Sequence, residues 1–196
     1  MFKTKEDRIR AYNEVKNEFD FGFGVLDADD LDKLGFFTAP ASTKYHGAYE
    51  GGLFDHSFAV YLRLKELTIK NDLLWQRPQS PFIVGMFHDL CKCDQYIKKP
   101  GVLCGETLIH GDDLSHYEYN KDTMLKGHGS KSIIVLSKFI TLTEEEILCI
   151  RYHMGAYGNE TEQKDEWAAF DAAIKRFPNT FFSHAADMLA SKVDGV

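Results

Sequence analysis

His88 and Asp89 are adjacent and directly follow the apolar run Phe82-Ile-Val-Gly-Met-Phe87. An imidazole and a carboxylate at the end of such a run are costly to bury unless they are paired or hold a metal ion. Lys92 follows at four residues from His88 and three from Asp89, so one continuous helix would put all three on a shared face. His56 lies on the apolar stripe Leu53, Val60, Leu64 and Leu67. Asp187 sits among small and apolar residues in His184-Ala-Ala-Asp187-Met-Leu, His128 stands between two glycines, and His153 lies near the end of a helical segment. A lone histidine is ordinarily a hydrogen-bonded core or surface residue. Here His, His-Asp, His, His and Asp recur across five helical segments, and metal coordination accounts for them together. Imidazole with carboxylate suits Fe, Mn, Zn, Co or Ni, and a helical bundle builds metal sites from inward-facing side chains.

The elements that must position these residues are helical. Glu6–Phe19 reads as an amphipathic helix, Asp27–Leu34 as a short acidic helix or turn, and Leu53 to about Trp75 as a long helix after the glycine-rich Gly47–Gly52. Pro81 suits the first turn of a helix over Phe82 to about Lys92. Asp94–Lys126 is irregular, with a short β-hairpin expected near Ile97–Leu108; a loop of that length in a compact domain usually serves function. A further helix runs over Gly129–Ile140, with Ile133, Ile134, Leu136 and Phe139 as its apolar set. Thr143-Glu-Glu-Glu146 is a capping box opening the next helix, which ends near Met154-Gly155. Helices over Thr161–Phe177 and from Pro178 to about Lys192 follow. The expectation is one all-α domain over residues 1–196, of about six or seven helices, with residues 1–43 as an N-terminal extension that packs on the core, caps the site or forms a dimer contact.

Composition excludes several classes. With 44% hydrophobic and 13% aromatic residues, the 196-residue chain has the material for a sizeable core and is not intrinsically disordered. The net charge of −7 disfavours a long nucleic acid as partner and suits a small anionic substrate held through a metal. Cys91, Cys93, Cys104 and Cys149 form no C-x-x-C pair, so reduced thiols are expected. Cys91 and Cys93 point to different faces of a helix, which argues against a cysteine-based metal site. Met1–Arg10 is charged and lacks the apolar stretch of a secretory leader. No apolar run approaches the roughly 18 residues of a membrane span. A cytoplasmic protein is expected.

The ordered set resembles the HD-domain metal-dependent phosphohydrolase superfamily. The pattern H…HD…D is matched by His56, His88-Asp89 and Asp187, and the two further histidines of its dinuclear subset by His128 and His153. His88-Asp-Leu-Cys-Lys92 looks like the family's His-Asp-x-x-Lys, and His46-Gly-Ala-Tyr-Glu-Gly-Gly-Leu-Phe-Asp-His56 is similar to the entry into the first ligand in HD-type exoribonucleases. Gly127-His128-Gly, Ile150-Arg-Tyr-His153 and Ala186-Asp187-Met-Leu-Ala-Ser191 look like its remaining motifs, so the resemblance covers residues 45–191.

The resemblance implies a compact HD-domain bundle that binds one or two divalent ions (Mn, Fe, Co, Ni, Zn or Mg). His56, His88, Asp89 and Asp187 would hold the first ion, and Asp89 would bridge to a second completed by His128 and His153. A metal-activated water would then cleave a phosphomonoester or phosphodiester, with Asp89 and Lys92 as catalytic residues. The related exoribonucleases carry an extra OB-fold for which this chain has no room, which favours a nucleotide or short oligonucleotide as substrate. Lys92, Lys131 and His46 are the candidates for binding it. His184 is placed to orient Asp187, Arg151 is read as structural, and His110 and His116 as exposed. The alternatives are a di-iron HD-domain oxygenase and a non-catalytic regulatory HD module.

Overall fold

A computed structural model describes residues 2–22, 26–99, 102–104, 107–109, 117–157 and 163–196. His110 and His116 lie outside the described residues. Eight α-helices follow one another among those described: Lys5–Lys16 (α1), Ala28–Leu34 (α2), Gly52–Lys70 (α3), Ser80–Phe87 (α4), Gly129–Leu136 (α5), Glu144–Arg151 (α6), Gln163–Arg176 (α7) and Asn179–Leu189 (α8). Four three-residue strands lie between α4 and α5: Tyr96–Lys98 (β1), Val102–Cys104 (β2), Thr107–Ile109 (β3) and Tyr117–Tyr119 (β4). The fold is all-α, as expected, and the acidic segment left open between helix and turn is α2.

Local chemistry sets the helix ends. Thr4 and Asp7 close a capping box at α1, and Thr143 and Glu146 close one at α6, satisfying backbone N–H groups that the first turn leaves unpaired. Gly35, at φ +88°, ends α2 in the left-handed conformation that glycine adopts without steric penalty. The third helix stops at Lys70 instead of near Trp75, because Asp72 takes a positive φ of 49° that breaks the helical path.

The expected hairpin is present as β2 and β3, and a second, outer pair encloses it. β1 runs antiparallel to β4, with Tyr96 opposite Tyr119, and β2 pairs with β3. The outer pairing joins residues about twenty positions apart, which no local turn signal marks.

The core is aromatic and centres on α3, which packs against α4 and α8. Tyr12, Phe36, Phe37, Phe54, Phe82 and Phe87 are fully or almost fully buried within it. α3 and α4 approach closely at Gly85, where an added Cβ would lie 2.5 Å from Tyr61 Cα. Of the three roles considered for residues 1–43, the structure has α1 packed on the core. Arg8 forms a bidentate pair with Asp55 (2.7 and 3.2 Å), and both residues are buried. Among the described residues no helix is long and apolar enough to cross a membrane.

Candidate metal centre

The His88-Asp89 pair lies at a break, not on a continuous helix. α4 ends at Phe87, His88 is its cap, and Asp89 leaves helical geometry (φ −109°, ψ 19°) before a 3-10 turn over Leu90–Cys93. Consecutive side chains on an α-helix diverge by about 100°, so the break allows two neighbours to reach one place. It also corrects the expected shared face: Lys92 reaches Asp89 through the 3-10 turn and its i+3 spacing. α3 supplies His56 and α8 supplies Asp187, while His128 caps α5 and His153 follows the end of α6. Gly129 permits the last two to meet, since a Cβ there would lie 2.6 Å from Arg151 O.

The six candidate ligands named from the sequence come together, the other five around Asp89. Its Oδ2 lies 3.4 Å from His88 Nε2 and 3.6 Å from His56 Nε2. Its Oδ1 lies 2.9 Å from His128 Nε2 and 3.4 Å from His153 Nε2. Asp187 Oδ1 completes the first group, 3.1 Å from His56 Nε2 and 4.0 Å from His88 Nε2. Two donors sharing one ion at about 2.1 Å stand about 3.0–3.4 Å apart, close to these spacings. Each Asp89 oxygen therefore faces its own pair of imidazoles.

The rings are held with Nε2 inward. His88 Nδ1 donates to Gly85 O (2.9 Å), His153 Nδ1 to Ile150 O (2.7 Å) and His56 Nδ1 to Val196 O (3.0 Å). A main-chain oxygen only accepts, so in the neutral ring Nδ1 carries the proton and Nε2 presents a lone pair. The Nε2 atoms of His56 and His88 then face each other at 3.3 Å, a contact that a bound cation, or a proton on one ring, would relieve. His153 Nε2 is buried and makes no hydrogen bond. These buried lone pairs fit a metal ion, and three groups could hold one: His56, His88 and Asp187; His88, Asp89 and His153; and Asp89, Cys91 and His128, the last bringing in a cysteine against the sequence expectation.

Charge follows the same layout. Burial opposes ionisation of Asp89, yet Lys92, His88 and His128 outweigh it and hold the carboxyl well below its ordinary value. Asp187 is likewise buried and likewise held down, by His56, His88 and His153. For His128, burial is overcome by the Asp89 carboxylate and Cys91, and its pKa rises to about 9.

The candidates for substrate contact separate. Lys92 is buried with Nζ 2.6 Å from Asp89 Oδ2, in a cavity of about 380 Å³ that also exposes His46, Tyr96, His128 and Asp187. His46 stands 5.0 Å ring to ring from His56; burial and then His56 and Lys92 lower its pKa to about 4, which leaves the ring neutral at pH 7. Lys131 turns away from the cluster and pairs with Asp94 and Thr123. His184 donates from Nδ1 to His153 O (2.7 Å) and so supports the turn carrying His153, not Asp187 as expected. Arg151 is structural, as expected, paired with Glu166 at 2.7 Å. Cys91, Cys93 and Cys149 are free thiols, and Cys91 Sγ lies 3.6 Å from His128 Nδ1.

Sequence reasoning missed three supports: Arg8 on Asp55, Tyr49 Oη donating to Asp55 at 3.0 Å, and the Val196 main-chain oxygen behind His56. The Val196 contact is secured by Arg63, which grips Asp194 at 2.8 and 2.5 Å. No spacing rule links Arg8 to Asp55 or Val196 to His56, which lie 47 and 140 positions apart. Comparison of the chain with family models, with curated proteins and with solved structures returns no match.

Proposed function

We propose that this chain is a metal-dependent phosphohydrolase of the HD-domain type that cleaves a phosphomonoester or phosphodiester, in a nucleotide or short oligonucleotide. The observation that carries the reading is the position of Asp89, whose two oxygens each face a separate pair of imidazoles. Two ions of the set Mn, Fe, Co, Ni, Zn or Mg would be held by His56, His88, Asp89 and Asp187 on one side and by Asp89, His128 and His153 on the other. When bound, such a pair lowers the pKa of a water and neutralises charge developing on a phosphoryl group.

The remaining chemistry belongs to the chain. Lys92 keeps an ammonium at the floor of the cavity, where burial works against its charge but the Asp89 carboxylate secures it. There it suits a phosphoryl oxygen as a fixed point charge in a poorly hydrated site. His46, neutral at pH 7, supplies a hydrogen-bond partner on the same wall without adding charge. The main-chain oxygens behind His56, His88 and His153 keep Nε2 directed inward.

The test is to load the protein with each of the six metals and offer phosphomonoesters, phosphodiesters, nucleotides, cyclic nucleotides and short oligonucleotides. Hydrolysis of at least one class, abolished by a chelator and restored by metal, supports the reading. Intact substrates throughout would reject it. Uptake of two irons with dioxygen consumption would move the assignment to the oxygenase alternative.

A further inference from the structure

Beside the cavity lined by Asp89 and Lys92 is a second one, also of about 380 Å³, and the two share Gln95, Tyr119 and His128 in their walls. Three lysines line the second cavity, Lys121, Lys126 and Lys131, and no carboxylate lines it among the described residues. In a chain of net charge −7, a hollow walled by Lys121, Lys126 and the Asp94-paired Lys131 departs from the background field. Lys131 is buried, and its Nζ is held by Asp94 and by Thr123 Oγ1 (2.8 Å), which sets the direction of its charge. Lys121 and Lys126 are exposed. Tyr119 joins the two cavities, 63% exposed, with its ring edge-on to Tyr96 at 5.2 Å.

We propose that the second cavity is an anion subsite for a second phosphate of the substrate whose reacting phosphate lies in the cavity lined by Asp89 and Lys92. The inference rests on the phosphohydrolase reading and narrows it: the preferred substrate carries two phosphates one nucleoside apart. An aromatic ring exposed along the path between two anion sites suits a nucleobase, because stacking tolerates any base. Lysine fits the role of a non-specific phosphate contact, since its ammonium acts as a point charge.

The test compares two probes by titration calorimetry on the full chain loaded with a metal that does not support cleavage of either probe. One is thymidine monophosphate. The other is a 5′-phosphorylated thymidine dinucleotide with a phosphorothioate link that resists cleavage. The dinucleotide is expected to bind at least about tenfold more tightly, in line with charge-assisted contacts, and to lose that advantage in the double variant Lys121→Gln/Lys126→Gln. Thymidine monophosphate affinity should not change in that variant. Equal affinity of the two probes for the native protein, no binding of either, or a double variant that weakens both or neither would overturn the subsite. If discrimination depends on the lysines while no phosphoester is cleaved with any metal, the subsite stands and the hydrolase reading falls. If the protein cleaves a small diester but does not discriminate the probes, the hydrolase reading stands and the subsite falls.

Discussion

At the scale of single residues, Asp89 is the group whose loss should be felt on both sides of the site. Replacing it with Asn leaves the size unchanged but removes the charge facing all four imidazoles. Asp89→Asn is therefore expected to lose both metal equivalents, with activity reduced more than about 100-fold. His128→Ala should lose one equivalent and keep the other, because the group formed by His56, His88 and Asp187 does not include it. Elemental analysis of the purified variants separates the two outcomes; equal metal content would contradict the division.

His128 also gives a pH signature. Its pKa near 9 in the metal-free protein means that the ring carries a proton at pH 7, which an ion must displace. One proton should leave on binding at that side, and apparent affinity should rise about tenfold per pH unit up to about 9. For folding the sign is opposite. The raised pKa stabilises the metal-free protein fully below about pH 6.5, and that contribution is lost as pH climbs through 9. Calorimetry in buffers of different ionisation enthalpy measures the released proton, and none released at pH 7 would count against His128 as a ligand. The six candidate ligands were legible in the sequence partly as polar groups on an apolar stripe or between glycines, and as a set, His153 above all, only through the resemblance to the HD-domain pattern. Their supports were not, since the main-chain oxygens of Gly85, Ile150 and Val196 carry no residue identity.

At the scale of elements, two close approaches place the ligands. Gly85 lets α4 lie on α3 beside Tyr61, and the carbonyl of Gly85 also orients His88. Gly85→Ala should destabilise by about 1–3 kcal/mol through overpacking, read by chemical denaturation; an unchanged midpoint would show that the contact relaxes without cost. The segment after α8 is a second positioning device. Arg63 on α3 holds Asp194, and the backbone then brings Val196 O to His56 Nδ1. Arg63→Asp is expected to lower metal affinity on the His56 side about tenfold, and the exchange Arg63→Asp/Asp194→Arg to restore it. A double variant no better than the single would leave the pair without a positioning role. Periodicity located the helices but not their ends. α3 stops early at Asp72, and the break after Phe87 that aims both His88 and Asp89 inward interrupts a run that reads as continuous helix.

At the scale of the whole molecule, an aromatic core and a buried Arg8–Asp55 pair hold a cluster of charge that would be unfavourable alone. Four imidazoles and the Asp187 carboxylate are gathered around Asp89 with little or no exposure apart from His128. Metal should therefore contribute to stability as a ligand that binds only the folded chain. Melting temperature is expected to fall on chelation and to recover on metal addition. An Asp89→Asn variant, without the cluster's central charge, should not respond.

The most direct measurement is anomalous diffraction from a crystal of the manganese-loaded protein. Two peaks are expected, one among His56, His88, Asp89 and Asp187 and one among Asp89, His128 and His153, with metal–ligand distances near ~2.0–2.2 Å as in other N/O sites. No anomalous density within reach of Asp89 would contradict the account.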